Sequence, residues 1–370
     1  MPMTVPSRTT RTHCICVWST HIEGARAIHA YRELMKPILV TGGAGYIGSH
    51  VLRQLVERGE NVLALDNLSS GFREALLGVD LVEGDAGDSD LVRSVLRDNA
   101  IETVMHFAAH TVVPESVRDP LKYYGNNTCA TRSLLASCAA AGVREFVFSS
   151  TAAVYGMPES GEASELTATA PINPYGMSKL MSEHMLRDFC AASPMRHVIL
   201  RYFNVAGSDP GGRIGQSTRN ATLLIKVACE HVVGKRTQLS VFGTDYATSD
   251  GTCIRDYIHV EDLAAAHLRA LDYLRRDGES ITLNCGYGHG YSVREVIDAV
   301  ERVSGQKLNV VLEPRRAGDP PVLVARSERL KSTLGWQPQH DDLDFIVRTA
   351  LDWERRLSAN TPAADRPGTA

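Results

Sequence analysis

The chain has 370 residues, 44% apolar and 22% charged, with a formal net charge of −4. That length buries a sizeable core, in one large domain or two smaller ones. There is no basic excess to recruit nucleic acid, and no apolar run reaches the roughly 18 residues of a membrane span.

Residues 1–34 are polar, carry several arginines and lack both periodicity and the apolar core of a secretory signal. They are expected to be a disordered or untranslated extension, with Met35 as the simpler start. The eight cysteines, from Cys14 and Cys16 to Cys285, are dispersed and show no zinc-type pairing. Reduced thiols in a cytoplasmic protein without a metal site are therefore expected.

Downstream, strands and helices alternate. "PILVT" (37–41) reads as a strand, followed by a glycine turn. A helix comes next, with Ile47, Val51, Leu52, Leu55 and Val56 on one face, ending near Gly59. Further strands are predicted at 61–65, 80–84, 103–107, 145–149 and 197–200. A long helix at 120–141 has Asp119 as N-cap and Pro120 at its first position. "NPYGMSKL" (173–180) opens another. Alternation of this kind predicts right-handed crossovers and a Rossmann-like α/β fold, a doubly wound parallel sheet. After about 205 the elements shorten, which predicts a smaller C-terminal lobe over 206–357, with some elements returning to the first domain (35–205). Residues 358–370 read as a disordered tail.

"TGGAGYIG" places Gly42, Gly45 and Gly48 between the first strand and the first helix. Glycines there permit a tight turn and let backbone N–H groups approach a pyrophosphate at the positive helix end. A glycine triplet alone is also consistent with a purely structural turn. The strand–turn–helix context and Asp66, at the end of the second strand, favour dinucleotide binding. A carboxylate there accepts from both ribose hydroxyls and repels a 2′-phosphate, so NAD is expected rather than NADP.

Tyr175 and Lys179 stand four residues apart and share one helical face. A tyrosine ordinarily titrates near pH 10, so a phenolate base at neutral pH needs nearby positive charge. Lys179 and a nicotinamide ring together are expected to supply it. Thr151, just past the 145–149 strand, offers a hydroxyl where ligands of open α/β sheets collect. Taken alone, the Tyr/Lys pair reads as a surface helix contact; the dinucleotide turn upstream and the hydroxyl at a strand end reverse that reading.

In order and spacing, "VTGGAGYIGSH", "LDNLSSG", "HFAA", "FSSTAAVYG", "PYGMSKL", "RYFNVAG", "FGTDY…DGTCIRDYIHVEDLA" and "RRAGD" resemble UDP-glucose 4-epimerases. These are extended members of the short-chain dehydrogenase/reductase superfamily, and the resemblance covers about 36 to 355. It implies NAD held by Tyr46, Ile47, Asp66, Asn67, Asp85, Ala86, Phe107, Ala108, Asn126, Lys179 and Phe203. It also implies a uridine diphosphate site of Asn204, Phe242, Arg255, Arg316 and Asp319, with Leu323 at the sugar-pocket wall beside C2. The implied reaction interconverts UDP-glucose and UDP-galactose by reversible oxidation at C4, through a 4-keto sugar. Tyr175 serves as base, Thr151 orients the hydroxyl, and Lys179 holds the nicotinamide ribose and lowers the tyrosine pKa. A homodimer built on helices 120–141 and 175–192 is implied as well.

Thr151 occupies a position often filled by serine, with the hydroxyl kept, and two further positions depart from the pattern. Thr111 stands where some members carry lysine, and Leu223 where asparagine or histidine usually helps hold the nucleotide. Two other functions fit part of the sequence. A nucleotide-sugar 4,6-dehydratase needs an acid after the strand-end threonine, where this chain has Ala152 and Ala153. A non-catalytic NAD-sensing protein has no need for Thr151, Tyr175 and Lys179 together.

Overall fold

The computed structural model describes residues 37–218, 221–316 and 318–360. The extension at 1–34, with Cys14 and Cys16, lies outside the described residues, as does 361–370.

β1 (Ile38–Thr41), α1 (Tyr46–Glu57), β2 (Val62–Asp66), β3 (Leu81–Glu83), α2 (Ser89–Asp98) and β4 (Thr103–His106) form the first half of a Rossmann-like fold. After α3 (Val113–Arg118) the chain turns at Asp119, whose carboxylate caps α4 (Pro120–Tyr123) by accepting from the Lys122 N–H. The long helix predicted at 120–141 is present but not uniform. A wide π-type turn over Tyr124–Cys129 separates α4 from α5 (Ala130–Ala141).

β5 (Glu145–Thr151), a short β6 (Glu162–Ala163), α6 (Pro174–Ala191), β7 (Arg196–Tyr202) and β8 (Asn204–Ala206) follow. Next come α7 (Leu224–Val232), β9 (Leu239–Phe242), β10 (Ile254–Arg255), β11 (Tyr257–His259), α8 (Val260–Arg275) and β12 (Ile281–Cys285). The chain then forms β13 (Tyr291–Ser292), α9 (Val293–Ser304), β14 (Val310–Glu313), β15 (Val322–Ala325), α10 (Glu328–Leu334) and α11 (Leu343–Asn360). α11 thus runs three residues into the segment read as a tail from 358.

Seven parallel strands make the main sheet, in the order β12-β7-β5-β4-β1-β2-β3. Near-continuous apolar strands suit a sheet buried on both faces. Leu39, Phe146, Phe148 and Ile199 pack toward α2, α5 and α6. Their neighbours Ile38, Val40, Val147, Val198 and Leu200 pack toward α1 and α8. β12, from within the 206–357 stretch, joins this sheet at its edge and pairs with β7 along its whole length.

Smaller sheets, β13-β10-β15-β6, β11-β8 and β14-β9, accompany the main sheet, and β6 and β8 bring residues from before 206 into them. Because β2 and β4 flank β1 on opposite sides, the strand order reverses there. Open α/β sheets bind ligands in the crevice at such a switch point, beyond the strand carboxyl ends.

Candidate active site

The glycine turn sits at that crevice. Gly42 has φ +71°, and a Cβ on it would lie 2.5 Å from the Ala108 nitrogen, so β1 and β4 close together only over glycine. The Gly42 N–H donates to the Leu65 carbonyl (2.8 Å) and the Phe107 N–H to the Thr41 carbonyl (2.9 Å). At the start of α1 no side chain caps the helix and no acidic residue stands in the first turn. The first N–H groups of α1 therefore face the crevice uncapped, at the positive end of the helix, which suits an anionic pyrophosphate. Gly45 completes the cradle, since a Cβ there meets only the Gly42 carbonyl oxygen, at 3.2 Å.

Asp66 ends β2 and is 8% exposed. Its carboxylate accepts from the Ala44 N–H (2.9 Å) and the Leu68 N–H (2.8 Å), while burial pushes its pKa up. Beside it the Asn67 amide donates to Asp85 (3.1 Å), which ties β2 to the turn after β3. Tyr46 and Ile47 open α1, with the Tyr46 hydroxyl donating to the Gly207 carbonyl (2.7 Å). Ala86 is buried after β3, and Phe107 packs on His267 with ring centres 4.8 Å apart. Asn126 donates to Asn127, whose amide in turn holds both backbone groups of His110 in the loop after β4.

The second group joins β5 to α6. Thr151 is the last residue of β5, not a residue beyond it, because the strand runs two positions further than predicted. Its hydroxyl bonds to the Tyr175 phenol and accepts from the Ala153 N–H. Asn173 caps α6 by accepting from the Gly176 N–H (2.9 Å), with Pro174 at the first position. Tyr175 and Lys179 are only 7% and 3% exposed, so they are not a surface helix pair.

Lys179 donates to the Ser149 carbonyl (2.9 Å), and its ammonium stands 4.9 Å from the centre of the Phe148 ring. Burial draws the Lys179 pKa down to about 7, opposed by the charge of Glu183. The same loss of solvent pushes the Tyr175 phenol up, opposed by its bond to Thr151. The expected help from Lys179 is thus not a direct contact with the phenol: in the chain alone the ammonium is turned to β5. Ionising Tyr175 near neutrality therefore depends on positive charge arriving with the cofactor.

The third group is drawn from segments after β7. Arg316 lies over the Phe242 ring, 4.6 Å from its centre, and donates to Asp319 (2.8 Å). Arg255 reaches within 4.0 Å of the same carboxylate, so two guanidinium groups converge on Asp319. Phe203 and Leu323 share a small buried cluster with Ala152, Val154, Tyr155 and Leu180. Leu323 is also the register partner of Arg255, so this cluster joins the strand-end group to the Arg255 strand. Asn204 starts β8 and donates its backbone N–H to the Asp256 carbonyl (3.0 Å). Of the two departures, Thr111 is exposed, and Leu223 precedes α7 at 36% exposure without capping it.

A family model for NAD-dependent epimerases and dehydratases matches residues 38–286. The chain belongs to the NAD-dependent epimerase/dehydratase family. A UDP-glucose 4-epimerase of Azospirillum brasilense is 58% identical over 332 residues, covering 90% of this chain and 95% of the relative. A Brucella ovis UDP-glucose 4-epimerase structure in complex with NAD is 44% identical, with a TM-score of 0.83. The match covers 86% of this chain and 98% of that one. A UDP-Glc/GlcNAc 4-epimerase structure from Campylobacter jejuni is 50% identical, with a TM-score of 0.77, covering 87% and 99%.

Several buried residues of this family member escaped the sequence reading. Ser149 and Ser150 were visible only as neighbours of Thr151, yet each bonds to α6. Glu183 is wholly buried on α6, one turn beyond Lys179. Its place at i+8 from Tyr175 and i+4 from Lys179 was the available signal, since a carboxylate recurring on a buried helical face demands a partner. Ser150 and Arg201 are its hydrogen-bond partners, and Arg201 leads on to Tyr155 and then Asn284, residues from segments far apart in sequence.

Proposed function

We propose that this chain is a cytoplasmic, NAD-dependent UDP-glucose 4-epimerase that interconverts UDP-glucose and UDP-galactose through a 4-keto sugar. The observation that carries the reading is the strand-end group. Thr151 and the Tyr175 phenol are bonded to each other, and buried Lys179 is fixed one turn along α6. The relatives described above support the substrate and cofactor.

Bound NAD supplies the hydride acceptor and, on return, the hydride donor. The Gly42–Gly48 turn would hold its pyrophosphate, Asp66 its adenosine ribose, and Lys179 its nicotinamide ribose. Tyr175 takes the proton of the sugar 4-hydroxyl at its phenol oxygen and returns it to the same oxygen after the 4-keto sugar has turned its other face, so that hydride returns to C4 with inverted configuration. Thr151 orients that hydroxyl. Arg255 and Arg316 offset the diphosphate charge, which requires Asp319 to share its partners, while Phe242 offers the uracil an apolar face.

The dehydratase reading lacks its acid. Ala152 and Ala153 follow Thr151, and Ala152 lies in the apolar cluster beneath the site. Incubation of the purified protein with UDP-galactose separates the readings. Epimerisation gives UDP-glucose without accumulating NADH; a keto-deoxy sugar marks a dehydratase, and no turnover marks a binding protein.

Assembly as a homodimer is supported by large apolar side chains left exposed on α3, α4 and α6. Val117, Leu121 and Met181 are 62%, 79% and 41% exposed. Sedimentation at micromolar concentration is expected to give a dimer, and Leu121→Asp with Met181→Asp a monomer. A monomeric wild type would overturn the assembly.

Leu323 gives a test of sugar selectivity. It is 8% exposed in the cluster with Phe203 and Ala152. If it walls the sugar pocket, leucine leaves less room for an N-acetyl group at C2 than serine does. A conflict of about 1–3 kcal/mol corresponds to roughly 10–200-fold discrimination. UDP-galactose is therefore expected to be turned over well and UDP-N-acetylgalactosamine weakly, with Leu323→Ser narrowing the gap in kcat/KM. An unchanged gap would make Leu323 a core residue only.

A further inference from the structure

The end of β5 is laced to α6 at three successive residues. Ser149 accepts from Lys179 through its carbonyl (2.9 Å), the Ser150 hydroxyl donates to Glu183 (2.6 Å), and the Thr151 hydroxyl bonds to Tyr175. The three helix partners, Tyr175, Lys179 and Glu183, are spaced one turn apart on one buried face. Two of these contacts belong to the catalytic group. The third does not touch it, and its carboxylate is the most heavily bonded of the three. Glu183 accepts twice from Arg201 Nε, at 2.9 and 3.2 Å, and the Arg187 guanidinium approaches to 3.5 Å. Arg201 passes on to the Tyr155 hydroxyl (3.0 Å), which donates to Asn284 of β12 (2.6 Å). The Asn284 amide donates to the Ala163 carbonyl of β6 (2.7 Å), and β6 pairs with β15, the strand of Leu323.

We propose that Glu183 is a positioning residue: through Ser150 and Arg201 it locks the end of β5 onto α6 and so sets Tyr175 and Lys179 for cofactor and substrate. A buried carboxylate with three bonded partners fixes geometry that a serine or a backbone carbonyl alone does not. It also supplies a negative charge that holds up the pKa of the buried lysine. Around Lys179 stand Tyr175 and Glu183 on its own helix, uncharged His106 on β4, Phe148 and the Ser149 carbonyl on β5, and Arg201 of β7 bound to Glu183. Without the carboxylate, Lys179 and Arg201 are left as unbalanced cations in one buried region, and the lysine holds its proton less well.

This inference rests on the epimerase reading for its kinetic arm only. Ser150→Ala removes one link and leaves the Glu183–Arg201 pair intact, whereas Glu183→Gln removes the charge at constant shape. Both are compared with wild type in kcat and KM for UDP-galactose, NAD affinity, and the titration of [13Cε]lysine. The signal of Lys179, one of seven lysines, is identified by its loss in Lys179→Arg. Expected for Ser150→Ala is a fall in kcat of about tenfold or more with KM within twofold. Expected for Glu183→Gln is a Lys179 midpoint at least one pH unit lower and NAD binding at least tenfold weaker. Folded variants with wild-type kcat, NAD affinity and lysine titration, even with a lowered Tm, would reduce Glu183 to a structural residue and overturn the proposal. If Glu183→Gln does not fold, the kcat of Ser150→Ala decides alone. A wild type that binds NAD but does not epimerise would sink the epimerase reading instead, leaving the lysine titration and NAD affinity to judge Glu183.

Discussion

Tyr175→Phe is expected to keep the fold and the bound NAD while kcat falls by roughly 10²–10⁴-fold. The ring is held by packing that phenylalanine preserves. It is 7% exposed and meets Tyr123 edge-on, with ring centres 6.4 Å apart. The hydroxyl is bonded to Thr151, and losing one such bond costs about 1 kcal/mol of stability. Turnover, by contrast, would lose the phenol proposed to take the proton of the 4-hydroxyl and to return it. The pH profile carries a second signature. Burial raises the phenol pKa, so the ionised base becomes scarcer as pH falls, and wild-type kcat must fall with it. Residual activity in the phenylalanine variant should lack that acid-side slope. Retention of more than a tenth of wild-type kcat would remove Tyr175 from the role of base. Lys179→Met, in comparison, should weaken NAD binding as well as rate, because Lys179 would contact the cofactor directly.

The parts of this site that were legible in the sequence are those governed by local rules. The glycine turn, Asp66 at a strand end, and the Asn173–Pro174 start of α6 each express a constraint spanning a few residues. The strand–helix alternation carried the parallel sheet for a similar reason, since each crossover is a local unit. What stayed hidden depends on long-range closure. Arg201 becomes a partner of Glu183 only when β7 is laid beside β5, and Asn284 reaches Tyr155 only when β12 is added outside β7. The pairing of Arg316 with Phe242 is of the same kind, because β9 and β10 are separated from the 313–320 segment by two helices. Thr151 illustrates a smaller error. Its neighbours Ser149 and Ser150 are poor strand formers in isolation, yet their pairing with Leu200 and Arg201 of β7 carries the strand through them.

Gly48→Ala is expected to weaken NAD binding at least 100-fold and to lower Tm by several degrees. A Cβ at this position would lie 2.2 Å from the Gly42 carbonyl oxygen and 3.0 Å from the Gly43 Cα. Both are backbone atoms, and Gly42 is itself pinned by its bond to Leu65 and by its close approach to Ala108. Relief can come only by moving the first turn of α1 away from β1. Overpacking of this kind costs about 1–3 kcal/mol. Binding suffers more than stability, because the uncapped N–H groups at the start of α1 are the ones that would meet the pyrophosphate. A hydrogen bond to a charged group contributes about 1.5–3 kcal/mol, so losing two of them accounts for a 100-fold or greater change. Gly45→Ala provides the contrast within the same turn. Its Cβ meets a single atom at 3.2 Å, so Tm should change little, although the methyl group intrudes on the cradle. Titration of NAD into both stripped variants, alongside thermal melts, separates the two effects. If Gly48→Ala binds NAD within threefold of wild type, the turn is a structural bend and the pyrophosphate lies elsewhere.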